Sequence, residues 1–472
     1  MTVGVPGAKQ GELLEVKDEQ PQDEGAAKVS FLETRGKILP DIRVGAEITT
    51  TKPLKSNEPF CCVGYQLTGT GFVLKPEEKD ELAKKDKIPR GQMFHPLLSA
   101  RDITQETRDL WAIDLFGHTI ESVRQNFPAT FQQVLTRVKP ERDSNARASV
   151  RDRWWIYGEA RSTFRPALAG LKRAIVAPLT SKHRLFIFCD AKTIADSTTV
   201  LFALDDAFHL GILSSRIHVL FSLTAGGRLG VGNDPRYNKS DCFDPFPFPL
   251  CGEREKARIR ELAEALDAHR KQVQAKHGVT LTGLYNVLEK IRAGETLTEK
   301  EKFVHDRGLV STLKSLHDDL DAAVSAAYGW VRAAPATGKL EPEKLTDQEI
   351  LERLVALNAQ RAAEEARGVV HWLRPEYQAK GQQEIILETK PAKKTKAKAA
   401  PAKRKGKTAW PKTLPERMHA VETALHAAAA PIAPADLAAQ FARAKPADVA
   451  EILKTLETFG RARRAGEGRF RT

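Results

Sequence analysis

"RVKPERDSNARASVRDRWWIYGEARSTFRPALAGLKRAIVAP", Arg137–Pro178, is the stretch on which the fold turns. Its last segment, "LKRAIVAP", is an apolar strand pattern, and "HRLFIFC" (His183–Cys189) looks like its partner around a five-residue turn, Leu179–His183. Just upstream, "TIESVRQNFPATFQQVLTRVKPERD" reads as two short amphipathic helices separated at Pro128. "WAIDLFG", Trp111–Gly117, reads as a buried strand before them. Strands and helices are mixed, and the expected fold class is α+β. Charge is concentrated in the same place: from Arg137 to Arg184 twelve Lys/Arg stand against four Asp/Glu.

Working outward, the 472 residues carry a net charge of +13, with 41% hydrophobic residues. That balance suits a globular protein of several domains. A second basic run, Lys393–Lys407, holds eight Lys/Arg and no acid, so the remainder of the chain is slightly acidic. Positive charge focused in this way suits a polyanion, because each neutralised phosphate releases condensed counterions; a solvated basic face is the plainer alternative. The five cysteines are odd in number and lack metal-site spacing, which predicts reduced thiols in a cytoplasm. No apolar run approaches a membrane span, and "MTVGVPGAKQGELLEV" has no signal-peptide pattern, so no membrane partner is expected.

Five regions follow from composition and periodicity. Residues 1–30 are expected to be an irregular acidic lead-in. Residues 31–250 hold mixed strands and helices, including "FCCVGYQLTGTGFVL" and a charged helix near Lys75–Lys87. Residues 251–380 form a helical module, marked by Ile259, Leu262, Leu266 and Val273 and then by the stripe Leu309, Leu313, Leu316, Leu320 and Val324. Thr298 with Glu301 and Thr346 with Glu349 are capping boxes. Residues 381–412, rich in Lys, Ala and Pro, are expected to be a basic disordered linker. Residues 413–472 contain three short helix patterns and then "RARRAGEGRFRT", the order of a winged helix.

Several constellations invite chemistry. Asp205-Asp206 could be a carboxylate pair for a metal, but it stands where a helix should begin and reads as a cap. Ser214, Ser215, Arg216 and His218 could suggest a Ser/His pair; no orienting acid is placed by sequence, and a polar helix face explains them better. Phe243, Phe246 and Phe248 alternate with Pro245, Pro247 and Pro249. This is read as an extended strap locked by burial rather than a ligand for a proline-binding partner. Trp154-Trp155 is read as core, with at most one ring free to reach a ligand.

Lys139-Pro140-Glu141-Arg142, Trp154-Trp155, Arg165-Pro166-Ala167-Leu168 and Gly170-Leu171 resemble the target-recognition region of large class I adenine-specific DNA methyltransferases. That family includes the MmeI-like and related type II restriction-modification enzymes. "SKHR" (Ser181–Arg184), "LGILSSRIH" (Leu210–His218), "CFDPFPFP" (Cys242–Pro249), "LYNVLEKIRAGE" and "LHDDLDAAVSAAYGW" extend the likeness from near residue 1 to about residue 378. The resemblance implies a target-recognition domain over residues 31–250 and double-stranded DNA as partner. It also implies S-adenosylmethionine held on a catalytic part, with a Gly-rich loop and an Asn-Pro-Pro-Tyr or Asn-Pro-Pro-Phe loop for the flipped adenine.

Neither loop is recognisable here. "TGTGF" (Thr68–Phe72) and "AGGRLGVG" (Ala225–Gly232) do not sit at a strand-to-helix turn followed by an acidic strand end. In Asn233-Asp234-Pro235-Arg236-Tyr237, Asp234 and Arg236 replace the two prolines, which removes the rigid turn. No catalytic or cofactor-binding residue is therefore assigned, and the chain is expected to be inactive alone. The expected function is the specificity part of a site-specific adenine-N6 methyltransferase of a restriction-modification or phage-defence system. A separate catalytic chain or a truncated coding sequence would complete it. The rival is a freestanding sequence-specific DNA-binding protein, with a complete enzyme on an unusual cofactor loop third. Candidate phosphate clamps are Arg142, Arg147, Arg151, Arg153, Arg161, Arg165, Lys172, Arg173, Lys182, His183 and Arg184, although not all can face DNA. Arg216, Arg228, Asn233, Arg236 and Asn238 are candidate base readers through their donor groups. Charge reversal at Arg161 and Arg165 is expected to weaken duplex binding.

Overall fold

The computed structural model describes residues 11–20, 28–36, 38, 44–89, 91–229, 234–333, 340–379, 408–411, 414–426, 432–442, 444–458, 462–464 and 469–471. The chain divides into two compact units, residues 1–389 and 390–472. Most of the expected linker 381–412 lies outside the described residues, as does Asn233.

The lead-in is not irregular throughout. β1 (Gly11–Gln20) and β2 (Lys28–Gly36) pair antiparallel, with Val16 opposite Phe31 and Glu15 opposite Leu32. On β1 the charged residues Glu12, Glu15, Lys17, Asp18 and Glu19 crowd Leu13, Leu14 and Val16, which hid the alternation. Leu14, Val16, Phe31 and Leu32 all remain exposed.

The body of the first unit is built on two four-stranded sheets. Its strands are β3 (Cys61–Val63), β4 (Val73–Leu74), β5 (Phe94–Leu98), β6 (Leu110–Ile113), β7 (Arg173–Pro178), β8 (Ile187–Asp190), β9 (Ile194–Ala195) and β10 (Thr199–Phe202). One sheet has the order β3-β10-β7-β8 and the other β4-β6-β5-β9. All their pairs are antiparallel except β5-β9. The sequence pairing of "LKRAIVAP" with "HRLFIFC" is present, in the register Arg173↔Asp190 to Val176↔Ile187. The connection is longer than five residues, because Leu179–Phe186 leave the ladder and turn His183, Arg184 and Phe186 inward.

Asp206 caps the next helix, Ala207–Ser214, by accepting from Phe208 N at 2.9 Å. The carboxylate also binds Arg260 through two contacts of 2.8 Å, so the acid pair is structural. The chain breaks at Ser215 and resumes as the helix Arg216–Ala225. The first of these helices packs on the long helix Glu253–His277, and Val310–Ala327 packs against both. Gly211 is needed at this crossing: a Cβ there would stand 2.5 Å from Ile259 Cγ2. One continuous core joins Leu210, Leu213, Phe221, Leu262, Leu266, Leu313 and Leu320, so residues 31–250 and 251–380 share their interior. Leu309 departs from its expected stripe; it adopts φ +46° between two helices and is 54% exposed. The capping boxes at Thr298 and Thr346 form as the sequence predicts.

The second unit has its own core of Val421, Leu425, Leu437, Val449, Ile452, Leu453, Leu456 and Phe470. Helices Leu414–His426, Pro434–Ala438 and Pro446–Thr458 precede a strand pair, Arg463–Arg464 with Phe470–Arg471, and Ile432 bridges the other edge of Phe470.

Candidate nucleic-acid interface

The basic stretch Arg137–Arg184 does not present its charge uniformly. Arg142 is fully buried, and its guanidinium donates to the carbonyls of Leu67 (2.6 Å), Ile156 (3.1 Å) and Val150 (3.5 Å). Burial holds its pKa down to about 10. Glu141 beside it accepts from Thr70 N at 3.2 Å and Thr70 Oγ1 at 2.9 Å. The Lys-Pro-Glu-Arg segment thus staples the Leu67–Thr70 loop to the Val150–Ile156 turn.

Arg184 is likewise enclosed and donates to the carbonyls of Pro235, Arg236 and Ser222. Arg165 pairs with Asp114 at 2.7 and 3.2 Å. Its side chain keeps only 20% exposure, and it crosses the rings of Tyr65 and Phe116. His183 is buried with Nε2 at 2.8 Å from Asn286 Oδ1, and burial lowers its pKa. As phosphate clamps, Arg142, Arg165, His183 and Arg184 are corrected to internal braces. Each satisfies carbonyls, a carboxylate or an amide from a distant segment and could meet DNA only by breaking that contact.

Other candidates remain outside. Arg147, Arg153, Lys172, Lys182, Arg216 and Arg228 are exposed, and Arg151, Arg161 and Arg236 are half-buried. Several are committed to protein partners: Arg151 to the carbonyls of Asn145 and Ala146, Lys182 to Glu289 at 2.7 Å, and Arg216 to Asp347 at 2.6 Å. Arg173 pairs with Glu264 at 2.6 Å. Arg147 makes a 3.2 Å contact with Glu159, half-exposed on both sides, which water and salt weaken.

Arg153 and Arg161 line one polar cleft of about 260 Å³ together with Ser149, Ser162, Thr163 and Glu159. Arg161 takes a left-handed φ of +51° and donates from Nε to Gly64 O at 3.0 Å. A non-glycine residue held there carries strain that the surrounding hydrogen bonds must maintain. Glu159 and Gln66 are bridged through paired backbone hydrogen bonds of 3.1 and 3.2 Å. Gln66 lines a second, more open cleft of about 440 Å³ with Thr68, Thr70, Arg108, Asp196 and Ser197. Sequence reasoning missed the hydroxyls Ser149, Ser162 and Thr163. Only their place between arginines hinted at them, and the fold is needed to bring them together.

The Trp pair sits in a turn rather than on a strand. Trp155 donates from Nε1 to His118 O at 2.9 Å, and Trp154 packs edge-on against it and near Phe131. The Ser/His group also differs from expectation, because Ser214, Ser215 and His218 are buried and only Arg216 is exposed. His218 packs against Phe186, Tyr237 and Phe246, so that face is core. The Phe/Pro strap is locked by burial as expected, but it starts as a π-helical turn, Lys239–Phe243, and runs extended only beyond Pro245. Phe243 and Phe246 are fully buried, and Asn57 Nδ2 donates to the carbonyls of Phe243, Asp244 and Phe246.

Neither Gly-rich segment forms a strand-to-helix turn. "TGTGF" ends in a single 3-10 turn, Thr70–Phe72, and forms a cleft wall. Gly226-Gly227 leads into β11 (Arg228–Leu229), which pairs with β12 (Asp234–Pro235). Tyr237, the aromatic of the degenerate "NDPRY", is fully buried against Phe186, Phe202 and His218 and cannot stack on a base. Among the described residues no group of three or more His, Cys, Asp or Glu could hold a metal. No described helix is long and apolar enough to cross a membrane.

Comparison with known proteins gives a match for this region. Residues 48–250 match the family model described as "MmeI, target recognition domain". Among solved structures, the chain is similar to the type IIL restriction-modification enzyme MmeI, solved in complex with DNA. The two are 19% identical, with a TM-score of 0.52 over 71% of this chain and 40% of that one. The chain thus spans less than half of that enzyme's length, and at this identity the likeness concerns the fold. No curated protein matches. The mixed sheets, the buried closing strap and the family match together mark residues 48–250 as similar to the target recognition domain of MmeI.

Proposed function

We infer that residues 48–250 bind and read duplex DNA for a site-specific adenine-N6 methyltransferase of a restriction-modification system. The methyl transfer, with S-adenosylmethionine, belongs to a catalytic part that the described residues do not contain. What carries this reading is the polar cleft in the matched domain, where Arg153 and Arg161 converge with Ser149, Ser162 and Thr163. Guanidinium and hydroxyl donors of this kind grip phosphate oxygens, while donors at other points read base edges. Arg228 on β11 and Arg236 beyond β12 supply such donors on a short hairpin. The solved relative was captured on DNA, which supports the same partner here. Five free cysteines fit a cytoplasmic protein. The second unit is read as a winged helix from its element order.

The test is selection of bound duplexes from a randomised pool by this chain alone, followed by labelled methyl transfer. A short recurrent sequence should emerge, lost in Arg153→Glu, with methylation only after a catalytic chain is added. A pool that stays random refutes the reading function. Methylation by this chain alone refutes the division of labour.

A further inference from the structure

The strand pair that closes the second unit places Arg463 opposite Arg471. Between positions 461 and 471 five arginines (Arg461, Arg463, Arg464, Arg469, Arg471) stand against a single acid, Glu467. The part of the unit between them and the basic run Lys393–Lys407, Thr408 to Gly460, has one more acidic than basic residue. Beyond that basic run, the positive charge of the unit is therefore gathered in residues 461–471.

The third helix, Pro446–Thr458, has the opposite character. Val449, Ile452, Leu453 and Leu456 are spent on the core. The other face repeats at every third position as Asp448, Glu451, Lys454 and Glu457, three acids and one lysine. A helix entering the major groove runs between two rows of phosphates, where each carboxylate is repelled. This one also lacks any Arg, Asn or Gln, the side chains that bind guanine and adenine edges in bidentate fashion. Phe470, 4% exposed, anchors the strand pair to the helices and to Ile432.

We propose that the second unit is a sequence-independent clamp on the phosphate backbone of duplex DNA, made by the arginines of the strand pair Arg463–Arg464 with Phe470–Arg471 and by Arg469 beside it, with its third helix kept out of the groove. Such a clamp adds affinity without adding sequence choice. It raises the local concentration of DNA at residues 48–250.

The full chain is titrated with a duplex of random sequence over a range of KCl. Gln at Arg463, Arg469 and Arg471 together should weaken binding by about tenfold or more and flatten the log K against log salt slope by roughly 2 to 3. Lys at the same three positions should preserve both, which separates loss of charge from loss of fold. Ala447→Trp, at an exposed position on the third helix, should leave binding unchanged. The sequence selected from a randomised pool should be the same for the wild type and the Gln variant, so failure of the reading function and failure of the clamp give different results. Unchanged affinity in the Gln variant overturns the clamp and leaves the strand pair to a protein partner. Loss of binding in Ala447→Trp overturns it in favour of a groove-entering helix.

Discussion

His218 Nε2 lies 3.0 Å from the Tyr237 hydroxyl, and both side chains are completely closed off from solvent. The contact joins the helix Arg216–Ala225 to the segment just after β12. Burial, with Arg184 close by, holds the His218 pKa down to about 3, so the ring is neutral. Tyr237→Phe leaves Nε2 without a partner. It should cost about 1 to 3 kcal/mol in chemical denaturation, the usual penalty for an orphaned buried polar group. The sequence selected from a duplex pool should not change. A shifted selection would return Tyr237 to the recognition surface.

The same burial sets a pH dependence. His209, with a pKa near 4, His218, near 3, and His317, well below the normal value, are neutral in the folded chain. The unfolded chain takes up their protons near pH 6.5, so these residues lose stability as pH falls through that value. Asp321 works the other way. Burial raises its pKa to about 6, so the folded state binds a proton that the unfolded state releases above pH 4. Between pH 4.5 and 6 the net uptake on unfolding from these four groups should be about two protons. Denaturant midpoints measured from pH 4.5 to 7.5 should fall on the acid side, and a flat profile would show that the histidines are not held neutral.

Arg165 and Arg153, both in the basic stretch, should separate stability from binding. Arg165→Ala strands Asp114, whose side chain is 8% exposed, and should cost about 3 to 5 kcal/mol. Arg153 is exposed, with no protein partner among the described residues. Arg153→Glu should change stability by less than about 0.5 kcal/mol. It should weaken duplex binding and lower the salt slope by about 1 or more. Thermal melts and titrations on the two variants check both halves; equal stability losses would place Arg153 among the braces.

This contrast marks what the sequence could and could not reveal. Local signals were legible: Asp206 as a cap, the boxes at Thr298 and Thr346, and the apolar run of β7 all depend on neighbours within a few residues. The fates of Arg142, Arg165 and Arg184 were not, because an arginine bound for a buried carbonyl looks the same in one dimension as one bound for phosphate. Their partners Leu67, Asp114 and Pro235 lie 75, 51 and 51 residues away. The degenerate "NDPRY" was readable as non-catalytic from its missing prolines, but the burial of Tyr237 needed Phe186 and Phe202 from other strands and loops.

Asn358 offers a test of the shared core. It is 1% exposed on the helix Asp347–Ala366 and accepts from Lys52 N at 2.9 Å. Its Nδ2 donates to Lys52 O at 2.8 Å and to Pro245 O at 2.6 Å. One amide thus fastens the start of the matched domain and its closing Phe/Pro strap to a helix more than a hundred residues beyond. Asn358→Ala leaves one backbone donor and two acceptors unpaired in or near the core, and should cost about 3 kcal/mol or more. Because the helix and the domain share an interior, the loss should appear as a lower midpoint of one cooperative transition across residues 48–366. Two separated transitions in the wild-type chain, with only the later one moved by Asn358→Ala, would mean that the helical residues fold as a body of their own.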